Sequence, residues 1–75
     1  MIRFKLKELT AEKAFREGRR INLQEIAEQT GVHRTTLSKL QSPTGHNTTT
    51  ENLNALCKYF DCAIQDLIEY VPDEP

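Results

Sequence analysis

Residues 22–40 read NLQEIAEQTGVHRTTLSKL, and this stretch decides the fold. Asn22 is a good helix N-cap, because its side-chain oxygen accepts a bond from a backbone N–H that the first turn leaves unpaired. Glu25, three residues on, completes a capping-box pattern. Ile26 and Ala27 then face inward, with Leu23 at the start of the helix. Gly31 stops the helix within a few residues, where a tight turn needs a residue that tolerates positive φ. A second helix follows at once, over about residues 34–41. Leu37 and Leu40, three apart, mark its buried side. Two helices crossing this closely want a small side chain at the contact, which Ala27 supplies. The outer face of the second helix is left with Arg34, Thr35, Ser38 and Lys39, all polar and two of them cationic.

Outward from this pair, the pattern stays helical. Met1 to Phe4 alternates apolar and basic residues and reads as a short extended arm. Leu6, Leu9, Lys13 and Ala14 recur at helical spacing, with Phe15 extending the apolar side, so a first helix is expected from residue 4 or 5 to about Arg16. Gly18 ends it, before the basic pair Arg19 and Arg20. Ser42, Pro43, Thr44 and Gly45 are a strong turn signal. Thr48 and Glu51 offer a second capping box, opening a fourth helix that buries Leu53, Leu56, Cys57 and Phe60. A break at residues 61–63 leads to a fifth helix, with Ile64, Leu67 and Ile68 inward and Pro72 at its end. The expectation is an all-α, five-helix, single domain over residues 1–75, with an arm at 1–4 and a frayed tail at 72–75. The chain shows no internal repeat.

Bulk properties narrow the function. At 75 residues, 37% hydrophobic and 28% charged, the chain fits one compact domain with little material for a substrate pocket. No apolar run approaches the roughly 20 residues of a membrane span. No signal segment follows the N-terminus, so the expected location is cytoplasmic. The net charge is −1, but it is unevenly spread. Residues 1–39 carry nine Lys/Arg against five Asp/Glu, net +4, and residues 40–75 carry one Lys against six Asp/Glu, net −5. One half can face phosphates while the other faces water or a partner.

Cys57 and Cys62, with His33 and His46, invite a zinc reading. Zinc sites pair their ligands at spacings such as C-x2-4-C and H-x3-5-H. The histidines here lie twelve residues apart between them, and Cys57 falls on an apolar face with Leu53 and Phe60. Reduced thiols packed in the core are the favoured reading. No metal, no cofactor and no enzyme activity are expected: no nucleophile–base pair, phosphate-cradling glycine loop or pair of acids in a cleft context is present.

The Ala27–Gly31–Leu37–Leu40 frame, the caps around it and the helices after it resemble the lambda-repressor-like, Cro-type (XRE) helix-turn-helix transcriptional regulators. The likeness extends over roughly residues 5–70 and includes Leu53, Leu56 and Phe60, a short break, then Ile64 and Leu67. It departs in two places: the connection over residues 15–21 is longer than the family's tightest form, and His33 stands where a Ser or Thr often caps the recognition helix. The resemblance implies sequence-specific binding to double-stranded DNA, with the recognition helix, about 34–41, in the major groove. By position it assigns base contacts to Arg34, Thr35 and Lys39, with Ser38 beside them. Backbone contacts fall to Asn22, Gln24, His33, Thr36, Thr44, His46 and Asn47, flanked by Arg19 and Arg20. Since one recognition helix covers few base pairs, a homodimer on DNA is expected, through the last helix with Tyr70 and Val71 or the arm with Ile2 and Phe4. The alternative is a helical protein-interaction module, such as an antitoxin or adaptor, whose acidic half binds a protein partner.

Overall fold

The computed structural model describes residues 1–42 and 47–72. Five helices follow a short strand: β1 (Ile2–Phe4), α1 (Leu6–Glu17), α2 (Leu23–Thr30), α3 (Arg34–Leu40), α4 (Thr50–Phe60), α5 (Ile64–Leu67) and a closing strand β2 (Ile68–Tyr70). The expected all-helical architecture is therefore correct in its five helices and omits a small antiparallel sheet, in which Ile2 pairs with Tyr70, Arg3 with Glu69 and Phe4 with Ile68. The N-terminal arm is extended, as β1, and is tied down by this pairing. Arg3 binds Glu69 across the pair, and the N-terminal amine donates to the Val71 carbonyl at 2.6 Å.

Leu6, Ile26, Val32, Leu37, Leu40, Leu56, Phe60 and Leu67 form the buried core. Each helix contributes to it, and the strands add Phe4 and Ile68 at its edge. Leu53 and Cys57, expected inside, pack against this cluster while remaining half-exposed.

Three helices end on a left-handed residue, which lets the chain reverse while pairing the last carbonyls. At Gly18, φ is 65°, its N–H donates to Phe15 O, and the Arg19 N–H donates to Ala14 O. At Gly31, φ is 78°, and one bond of 2.9 Å reaches Ala27 O. At Asp61, φ is 53°, with its N–H on Lys58 O and the Cys62 N–H on Cys57 O.

Several local expectations are corrected. Phe15 does not extend the buried side of α1; it is 88% exposed. Nine residues at about 100° each carry it half a turn away from Leu6, onto the opposite face. The N-cap of α4 is Thr49, accepting from the Asn52 N–H at 3.1 Å, not Thr48. Thr48 instead accepts from the Asn52 side chain at 2.9 Å. The fifth helix is a single turn that stops at Leu67, well before Pro72, because the chain there turns to pair with β1. Asp66 caps that turn by accepting from the Ala63 N–H at 3.1 Å. Ile64 lies largely outside, and Ile68 belongs to the strand.

Candidate nucleic-acid interface

The α2–turn–α3 unit is built from its sequence as the spacing requires. Asn22 Oδ1 accepts from the Glu25 N–H at 2.9 Å, forming the N-cap of α2. Only half of the expected capping box forms, because the Glu25 carboxylate is taken elsewhere. Arg19 donates to both of its oxygens, at 2.8 and 2.6 Å. Thr30 fixes the exit: its hydroxyl donates to Ile26 O at 2.7 Å and accepts from the Val32 N–H at 3.1 Å. Val32 is thereby held in the core directly after Gly31.

α3 then packs through Leu37 and Leu40, both fully buried. Arg34, Thr35, Ser38 and Lys39 are all exposed on its other side, and Thr36 lies half-buried between the two. Residues i, i+1, i+4 and i+5 share one helical face, so these four side chains form one continuous polar surface. Neither Arg34 nor Lys39 makes an ion pair or a side-chain hydrogen bond among the described residues. His33 occupies the N-cap position of α3 without making a side-chain cap bond.

The flanking candidates separate by their partners. Asn22 and Gln24 are exposed at the start of α2, with Gln24 donating to Glu28 at 3.2 Å. Arg20 is exposed, while the Arg19 guanidinium is held by both Glu25 and Glu17. Bonding to Arg19 holds the Glu25 carboxyl below its ordinary value, and a bond from Lys13, at 3.0 Å, does the same for Glu17. Lys13 also lies over the Tyr59 ring, 4.8 Å from its centroid, linking this cluster to α4. Sequence reasoning did not find this cluster, whose members are brought together only when α1, α2 and α4 pack. Asn47 is exposed at the start of the segment before α4. Thr44 and His46 lie outside the described residues.

No group of three or more metal-ligating side chains comes together among the described residues. Among those residues, no helix is long and apolar enough to cross a membrane.

A search of curated proteins finds no match to the chain. A family profile for the Cro/C1-type helix-turn-helix DNA-binding domain matches residues 5–73, nearly the whole sequence. The match spans the capped α2, the Gly31 turn, the two-faced α3 and the helices that bury its inner side. The chain belongs to the family of Cro/C1-type helix-turn-helix DNA-binding domains and is a DNA-binding regulator of that type.

Proposed function

We propose that α3 enters the major groove of double-stranded DNA and reads its sequence through Arg34, Thr35, Ser38 and Lys39. The observation that carries this reading is the division of α3, with Leu37 and Leu40 fully buried behind a polar face whose two cations have no partner within the described residues. Arg34 suits a bidentate pair with guanine O6 and N7, and Thr35 offers a hydroxyl and a methyl to thymine. Asn22, Gln24, Thr36, His33 and Asn47 flank this face for phosphate contacts, which set position rather than sequence. Arg20 adds a cation at the edge; Arg19 lies beside it, already shared between two glutamates.

The functional unit is a homodimer. The two expected dimer surfaces merge into one, since Ile2 and Tyr70 are cross-strand partners, 46% and 68% exposed, with Met1 beside them. A second copy covers this patch, placing two α3 helices on half-sites about one duplex turn, roughly 34 Å, apart. Selection of bound sequences from a random duplex pool tests both claims. Two related half-sites at that spacing are expected, with affinity that falls steeply as salt rises. Recovery of no preferred sequence removes the readout role from α3.

A second reading, a protein-interaction module, draws on the net −5 charge of residues 40–75 and on Phe15, exposed on the face of α1 opposite Leu6. No shift of any duplex at low salt, together with a stable complex with a native protein partner, favours it over DNA reading.

A further inference from the structure

The end of α4 carries two cysteines that pack at the edge of the core, outside the α2–turn–α3 unit. α4 closes in a full reversal at Asp61, where the Cys62 N–H donates to Cys57 O at 3.0 Å and the Asp61 N–H to Lys58 O at 3.3 Å. In this arrangement the residue two beyond the helix end folds back against the residue three before it, and their side chains meet. Here both are cysteine. Both are free and half-buried. A surface groove of about 630 Å³ between α1 and this turn, lined by Leu9, Phe15, Phe60 and Asp61, opens onto Cys62.

We infer that Cys57 and Cys62 are a vicinal dithiol that small disulfides oxidise to an internal disulfide across the α4 cap. The groove admits the oxidant to Cys62 first. The Cys62 thiolate attacks one sulfur of a small disulfide, forming a mixed disulfide and releasing one thiolate. The Cys57 thiolate then attacks the Cys62 sulfur, closing the ring and releasing the second thiolate. The two protons lost from the cysteines end on the two released thiolates, and the small disulfide takes up both electrons. Burial first, then the neighbouring Cys57 thiol, push Cys62 up to about 11. Little Cys62 thiolate is present near neutral pH, so the first exchange is slow and quickens as pH rises. The bond formed spans the turn that feeds α5 and β2.

The test uses the folded full chain with excess oxidised glutathione, read by intact mass and by peptide mapping. Lys58 lies between the cysteines, so trypsin leaves the Cys57 and Cys62 peptides joined only through the new bond. Loss of two hydrogens, with a joined pair that separates on reduction, is expected. Cys57→Ser and Cys57→Ala, which lack the closing thiol, accumulate a single glutathione on Cys62. Stable glutathione adducts on the wild-type chain, a disulfide-linked dimer without the internal bond, or thiols that react only after unfolding in urea each overturn the proposal.

Discussion

The connection between α1 and α2 and the outer face of α3 are both basic in sequence, yet the fold treats their charges in opposite ways. In the connection, Arg19 donates to Glu25 through two nitrogens and to Glu17 through a third, and Lys13 holds Glu17 from the other side. In α3, Arg34 and Lys39 project from a helix with no carboxylate of its own and take no partner among the described residues. A guanidinium is a planar fork suited to a carboxylate or to a guanine edge. Arg19 spends that geometry inside the molecule, fixing how α2 leaves α1. Arg34 leaves it unused among the described residues. Net charge conceals this difference, because a paired cation and an unpaired one count equally in the sum.

Four substitutions sharpen the contrast. The largest effect is expected at Leu37→Ala, which removes the inner anchor of α3 and costs about 2–5 kcal/mol of stability by urea denaturation. A cost near zero contradicts the packing that holds the polar face of α3 outward. Arg34→Ala is expected to lose about 1–3 kcal/mol of discrimination between selected and random duplexes, while stability stays within about 0.5 kcal/mol of wild type. Equal loss on both duplexes makes Arg34 a phosphate contact instead. Gly31→Ala separates the two regions at their hinge. A Cβ there meets nothing within 4 Å, so only the backbone at φ +78° resists it, at about 1–2 kcal/mol. A neutral result shows that the turn relaxes without strain.

The smallest effect belongs to Arg19→Met, read as a drop in Tm at neutral pH with unchanged sequence discrimination. Its diagnostic is the pH profile. Glu25 and Glu17 both lie below the ordinary 4.5 in the folded chain. Their pairing therefore stabilises the fold above that value and is lost as pH falls through the lower, folded one. The wild type should lose this increment in acid, and Arg19→Met should show a flatter acid limb. Parallel profiles show that Arg19 contributes packing rather than charge.

Most of the helix-turn-helix is legible in the sequence because its determinants are local. Asn22, Gly31, Leu37 and Leu40 act within a few residues of themselves, and the structure places each in the role its spacing implies. The polar face of α3 follows from the same periodicity. What escaped depends on distant pairing or on ties between equivalent residues. Alternation marks residues 1–4 as extended, but β1 finds its partner only at the other end of the chain, where residues 68–70 follow the helical spacing of α5 without a break. Glu25 satisfies a capping pattern, but Arg19 reaches it across a loop and takes it. Thr48, Thr49 and Thr50 are chemically equivalent caps, and packing of α4 selects the middle one. Phe15 follows Ala14 in sequence but sits about 100° further round the helix, so adjacency does not put the two on one face.

The sheet has a consequence for the order in which this chain assembles. α2 packs against both α3 and α4 at modest sequence separation, whereas β1 and β2 must bring Ile2 to Tyr70 across nearly the full length of the chain. Closing so long a loop is rewarded only after the intervening helices have shortened it. The strand pair is thus expected to form last and to open first, a clasp fastened over a finished bundle. Strand opening would disperse the Ile2–Tyr70 patch, and closing would restore it, while α3 stays folded on its own local contacts.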